Sequence, residues 1–282
     1  MSIELRTKYA PKAQEVFKTE SKTGLITNTD YDWTGAHTVA IYKVTTAALS
    51  DYQRNYTGAE SETEQISRYG TLKDLSATVQ ECVLSKDRSF IFNVDMLDAD
   101  ESSVEVESAL ARQLREVVNP ERDKYIYSKM CTGAGIKPDA IAAVTYDTIL
   151  KATALMDEAE VPDTGRVLVI NPNGYAALKK ELQSPAYNTL SAEERASGVI
   201  GYLDGMPVVK VPSSYLPTNF GFMIAHPSAC VAPVKLADYS THDDTPLASG
   251  TIVTGRIVYD AFVLDNKKTG ICYQALTPPK NA

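Results

Sequence analysis

The residues of this chain able to do chemistry are few, and their spacing works against most of it. In "STHDDT" (240 to 245) His242 stands beside Asp243 and Asp244, a set that could bind a metal or move a proton. Adjacent side chains do not face a common point unless the loop bends, and no second His or Cys cluster lies nearby, so a solvated loop is the simpler reading. Cys131 or Cys230 with His226 could serve as nucleophile and base, but nothing in the sequence activates either thiol. The acids of "NVDMLDADESSVEVE" lack the order of a calcium loop and suit the start of a helix, where the dipole favours negative charge. "TGAGIKPDAI" has glycines but neither the dinucleotide fingerprint nor the Lys-Ser/Thr of a phosphate loop, and it follows a helix where those motifs follow a strand. "RVLVINPNGYAAL" is strand, turn and helix, able to present a helix N-terminus to an anion, but no partner acid accompanies it. No nucleophile, base and stabiliser come together. The expectation is no catalytic, metal or cofactor site.

Composition narrows the classes further. With 282 residues, 44% of them hydrophobic, the chain can bury a large core in one or two domains. A net charge of -8 and a pI near 5.0 oppose general nucleic-acid binding, which needs clustered Lys and Arg. No apolar run is long enough to cross a membrane, and the N-terminus lacks the apolar core of a signal peptide. Cys82, Cys131, Cys230 and Cys272 are widely spaced and read as free, packed thiols of a reducing compartment.

The elements that must carry any function follow from pattern. Residues 9 to 20 suggest a short amphipathic helix with Val16 and Phe17 on one face. "HTVAIYKVTT" (37 to 46) reads as a strand, and strand character resumes over 71 to 95, where Phe90, Phe92 and Val94 alternate with Ile91 and Asn93. Between them lies "SDYQRNYTGAESETEQISRYG", Ser50 to Gly70: polar, proline-free and without a core of its own. Strand, polar tip and returning strand make an extended hairpin. Asp98 to Cys131 is the strongest helix signal, with Leu110, Leu114 and Val117 on one face and Pro120 either kinking it or opening a second helix. After the linker at 132 to 139 the pattern alternates: a helix capped by Thr145, a strand over 166 to 170, and a helix opened by Asn171 and Pro172. Residues 250 to 276 return to a β pattern, with "DNKKTG" expected as a hairpin turn. The topology is α+β and discontinuous: a β-rich part with the long helix against its sheet, and an α/β part inserted into it.

The sequence resembles major capsid proteins of tailed bacteriophages, which share the Hong Kong 97-type fold. The resemblance runs from about Leu25 to Tyr273 and rests on the order and spacing of "DYDWTGAHTVAIYKV", "FIFNVDMLDADE", "RQLREVVNPERDKYIYSKM", "RVLVINPNGYAALKKEL", "GVIGYLDGMPVVKVPS" and "GRIVYDAFVLDNKKTGI". It implies an N-terminal arm (1–36), strands and an extended loop (37–95, tip 50–70), and the spine helix of a peripheral domain (96–136). An axial domain (137–245) would follow, then return strands to the peripheral domain with a C-terminal tail (246–282). The implied function is that of a coat subunit which assembles with identical copies, as hexamers and pentamers, into an icosahedral head enclosing double-stranded DNA. A nanocompartment shell of the same fold is the alternative, and a cytosolic α/β enzyme a more distant one. The implied partners are other subunits, a separate scaffolding protein, a portal and packaged DNA held without sequence preference, with no membrane. The implied place is the virion, assembled in the host cytoplasm. Trp33, Tyr52, Arg54, Tyr56, Arg68 and Tyr69 are the expected inter-subunit contacts, because Tyr, Trp and Arg are favoured interface anchors. Some relatives crosslink through a lysine on the extended loop. No lysine lies between Thr45 and Leu72, so that bond is expected to be absent here. Only about 36 residues precede the first strand, too few for a fused scaffolding segment, so little or no N-terminal removal is expected.

Overall fold

The computed structural model describes residues 20–28, 31, 38–52, 54–55, 66–71, 74, 77–95, 106–182, 201–242 and 250–278. The helix expected at 9 to 20 and the acidic run at 96–105 lie outside them, apart from Glu20. Contacts divide the chain into a smaller unit, Gly35–Val83, and a larger one made of Met1–Thr34 and Leu84–Ala282.

The smaller unit holds an antiparallel ribbon, and only the first part of the returning strand expected over 71 to 95 belongs to it, since residues 86–95 pair in a sheet of the larger unit. β1 (Thr38–Val44) pairs antiparallel with a later strand, β4 (Ala77–Val83), in register from Thr38↔Val83 to Val44↔Ala77. Between them, β2 (Ile66–Ser67) and β3 (Gly70–Thr71) form a second, minimal hairpin around Arg68 and Tyr69. Gly70 sits at φ +93, and a Cβ there would lie 2.6 Å from the Cβ of Ser50, so both backbone angle and space demand glycine. Alternation explains why β1 and β4 pair; a two-stranded ribbon by itself is marginal in water.

In the larger unit, β5 (Lys86–Asp95) opens a three-stranded sheet in the order β11-β12-β5, where β11 is Val234–His242 and β12 is Gly250–Tyr259. The Phe90/Phe92 alternation read from sequence puts both rings on one face, stacked at 6.1 Å. A helical run then extends unbroken from Val106 to Gly133: α1 (Val106–Gln113), a π turn (Leu114–Val118) and α2 (Asn119–Gly133). The π turn accounts for the passage of Pro120. Proline lacks an N–H and its ring crowds the carbonyl four residues back, and here the Asn119 N–H has already stepped to Leu114 O. These 28 residues span roughly 42 Å at 1.5 Å each.

Next come α3 (Tyr146–Glu158), β6 (Val167–Ile170) and α4 (Pro172–Leu182). Thr145 caps α3 as expected, and Thr148 returns its hydroxyl to the Thr145 N–H at 3.0 Å, a reciprocal capping box. β7 (Tyr202–Leu203), β8 (Met206–Lys210), β9 (Phe220–Ala225), β10 (Cys230–Val231), β13 (Phe262–Val263) and β14 (Ile271–Ala275) complete the strands. β6 is central in a five-stranded sheet, order β14-β9-β6-β8-β7. Its run "VLVI" is apolar throughout because both faces are covered. Val167 and Val169 pack with Ile126, Tyr127 and Met130 of α2, while Leu168 and Ile170 pack with Ile149 and Met156 of α3 and Leu178 of α4.

Two expectations are corrected. The long helix serves both sheets: Tyr125 stacks edge-on against Tyr259 of the three-stranded sheet, and the next turn enters the core of the five-stranded one. Residues 250 to 276 do not return together either. β12 joins β5, but "DNKKTG" is a 3-10 helix (Asp265–Gly270), not a hairpin turn, and it delivers β14 to β9. The reason is burial: Ile271, Cys272 and Gln274 are all buried, which demands cover on both faces of the strand.

The end of α2 fixes this crossing. A Cβ on Gly135 would lie 2.6 Å from backbone atoms of Lys268, whose carbonyl accepts the Gly135 N–H at 2.8 Å. Backbone cannot yield as a side-chain tip can. Gly135→Ala is expected to cost about 3 kcal/mol, read as a lowered urea midpoint with unchanged m-value.

Candidate functional site

Among the described residues, the two histidines singled out for chemistry are each hydrogen-bonded to a neighbour. His242 Nε2 meets Thr254 Oγ1 at 3.2 Å on the exposed strand β11; Asp243 and Asp244 lie outside the described residues. His226 caps the short turn Pro227–Ala229. Its Nδ1 accepts the Ser228 N–H at 3.2 Å, which leaves Nε2 to donate to Thr164 O at 3.2 Å. All four cysteines are buried and free, and burial pushes the thiols of Cys131, Cys230 and Cys272 up to about 12. At neutral pH these groups are protonated and poor nucleophiles.

The glycine loop spends its backbone on structure, since the Ile136 N–H donates to Ile271 O at 3.2 Å, beside the Gly135 bond. The N-terminus of α4 is likewise satisfied: Asn171 Oδ1 accepts the Gly174 N–H at 2.6 Å, and its amide donates to Phe220 O. Among the described residues, no three His, Cys, Asp or Glu side chains are grouped to hold a metal ion.

The hairpin tip is where the structure does bring expected residues together. Tyr52 and Tyr69 meet edge-to-face, ring centroids 5.2 Å apart, yet stay 51% and 80% exposed. Arg54 and Arg68 are exposed as well. Trp33 and Tyr56 lie outside the described residues. The two tyrosines in edge contact, with exposed arginines near them in sequence, present apolar ring area with hydrogen-bonding tips.

Two buried carboxylates were not singled out by sequence, and both tie distant segments together. Asp260 accepts the Ser85 N–H (2.8 Å), the Ser85 hydroxyl (2.7 Å), the Tyr125 hydroxyl (2.8 Å) and the Ala261 N–H (2.7 Å). Burial alone would push its carboxyl up, but the donors of Ser85, Ala261 and Tyr125 outweigh burial and hold it below the ordinary range. Asp123 accepts the hydroxyls of Ser21 (2.8 Å) and Thr23 (3.2 Å), fastening the segment around Ser21 to α2. Here burial dominates. The bonds from Ser21 and Thr23 and the nearby Arg122 recover only part of it, and the carboxyl sits above its ordinary value.

The raised Asp123 has a definite sign. The folded chain holds its proton more tightly than the unfolded chain, so the group favours folding at acid pH, and that contribution is lost as pH rises from about 3.8 through the folded value. Asp123→Asn keeps an acceptor for Ser21 and Thr23 without a buried charge. It is expected to fold at pH 7 with no loss of stability and a flattened pH dependence above pH 4, whereas Asp123→Ala loses about 1–2 kcal/mol. Thermal denaturation at several pH values distinguishes them.

No family model matches the sequence, and no curated protein matches it. The three-dimensional structure, however, is shared along nearly its whole length with solved phage particles. A chain from a structure titled Mycobacterium phage Che8 superposes with TM-score 0.73 at 19% identity, covering 96% of this chain and 97% of that one. The capsid of Cyanophage P-SCSP1u gives TM-score 0.77 at 12% identity, covering 98% and 93%. The mature capsid of bacteriophage PhiM1 gives 0.70 at 11%, covering 99% and 93%. This chain has the phage capsid fold. Sequence identity this low leaves element order and packing as what is shared, and end-to-end coverage in both directions means the fold is matched as a whole, not through one α/β layer.

Proposed function

We propose that this chain is the major coat subunit of a tailed-phage head, assembling with identical copies into a closed shell around double-stranded DNA. The observation that carries the reading is the mutual, near-complete match to chains of phage capsids. The hairpin supports it. A ribbon of two strands whose tip exposes Tyr52, Arg54, Arg68 and Tyr69 makes sense in a protein whose remaining apolar burial is supplied by neighbours. Tyr52, Arg54, Arg68 and Tyr69, with Trp33 and Tyr56, are the contact residues of this proposal. The acidic balance supports it too, because a wall that gripped DNA would impede packaging.

The finer partners in this reading are a separate scaffolding protein, a portal and packaged DNA. The test is co-expression with a scaffolding protein, followed by electron microscopy and intact-mass analysis of what sediments. Closed icosahedral particles built of chains at full mass, without a covalent ladder, are expected. A discrete monomer or small oligomer that never forms curved sheets or shells under those conditions would reject the reading.

A further inference from the structure

The π turn (Leu114–Val118) does more than carry Pro120 through the long helix. Widened turns of this kind recur at functional sites. Here the turn lines an open groove of about 490 Å³ within the larger unit, where Val117 and Pro120 meet Phe90 and Tyr215. Val117 stays half exposed on that wall. Glu121 and Lys124, about one and two turns further along the helix, add one exposed charge of each sign to the lining. The lining is about as polar as it is apolar. That composition is the one found where two proteins meet: aromatic anchors among polar groups that water reaches until the partner arrives.

The hairpin tip of the smaller unit has matching chemistry. Tyr69 is 80% exposed at the β2–β3 turn, with Tyr52 in edge contact. Asp51 and Arg68, their neighbours in sequence, are exposed charges of opposite sign. A tyrosine ring offers an apolar face to Phe90, Val117 and Pro120 and keeps its hydroxyl for the polar part of the groove. Arg68 is complementary to Glu121, and Asp51 to Lys124. Tip and groove are each open in the single chain, so a second copy is the occupant that brings both signs of charge and the rings at once.

We infer that the tip of one copy, Tyr69 and Arg68 foremost, docks in the π-turn groove of the next. Tip and groove are different surfaces, so the contact is head-to-tail and closes into a ring. The inference rests on the shell reading and adds to it the surface that receives the tip.

The test uses full-length chain assembled by co-expression with a scaffolding protein. Tyr69→Cys with Val117→Cys, oxidised in the particles, is expected to give disulfide-linked oligomers up to a pentamer or hexamer on non-reducing gels, while each single variant stays monomeric. The native thiols are buried and should not compete. In parallel, Arg68→Glu and Glu121→Arg are each expected to raise the subunit concentration needed for particles by about tenfold, and the two combined in one chain to restore it. Linked oligomers support the contact, as does the restoration where the cysteine pair fails to assemble. Particles whose cysteine pair stays monomeric or links only within a chain, together with no restoration, overturn the contact and leave the shell reading standing. A wild-type chain that forms no particles removes both.

Discussion

Asp260→Ala is expected to lower the unfolding free energy by about 2–3 kcal/mol. Four donors converge on this one carboxylate: the Ser85 N–H and hydroxyl on one oxygen, the Tyr125 hydroxyl and Ala261 N–H on the other. Removing the acceptor leaves the buried Ala261 N–H and the half-buried Tyr125 hydroxyl without their partner, while the exposed Ser85 can turn to water. Asp260→Asn separates charge from shape. The amide keeps one acceptor oxygen but presents N–H groups to donors, so it is expected to recover less than half of the loss. The pH dependence has the sign opposite to that of Asp123. Because the folded carboxyl titrates below its ordinary value of 3.8, its contribution is fully present above that value and is lost as pH falls through the folded one. Acid unfolding of the wild type should therefore steepen below pH 4, and the Asn variant should lack that component. Guanidinium titrations at pH 3, 4 and 7 measure both effects. An Asp260→Asn variant as stable as wild type at pH 7 would contradict the account.

The contrast between these two carboxylates shows what the sequence could and could not make legible. The hairpin could be read because β-branched and aromatic residues alternate over 37 to 46 and again beyond 77, with a polar stretch between them. α3, β6 and α4 could be read because caps and apolar runs are local signals, and Thr145 and Asn171 behave as their positions suggest. Asp260 could not, since its partner Ser85 lies 175 residues away and nothing near either residue marks the bond. The same holds for Asp123, which meets Ser21 over 102 residues. Assigning β14 required knowing that Ile271, Cys272 and Gln274 would all be covered, a property of the sheet β14 joins and not of the strand itself. Pro120 posed a choice between kink and break, and the helix took a third course by widening one turn upstream. At the tip, Tyr and Arg content suggested a contact surface. The Tyr52–Tyr69 pair across 17 residues emerged only once β2 and β3 closed their turn.

The other large effect is expected on assembly, with folding spared. Tyr52→Ser with Tyr69→Ser removes the two rings that meet at the tip, and both are exposed enough that neither carries a core. The monomer should therefore unfold within about 0.5 kcal/mol of wild type. In the proposed shell the same tip would recur in every subunit. If each ring pair contributes about 2 kcal/mol to one contact, as an aromatic anchor commonly does, the concentration needed for that contact rises roughly 30-fold. The loss multiplies, because a closed particle requires many such contacts together, so the expected outcome is folded, soluble subunits that form no particles at concentrations where wild type does. Arg54→Glu with Arg68→Glu keeps the rings and reverses two exposed charges. It should slow assembly in a salt-dependent way, with partial rescue at high ionic strength. Sedimentation velocity on both variants, beside circular dichroism of the monomers, separates the two contributions. Particles that form normally from the tyrosine variant would move the contact surface elsewhere on the chain and leave the tip without its assigned role.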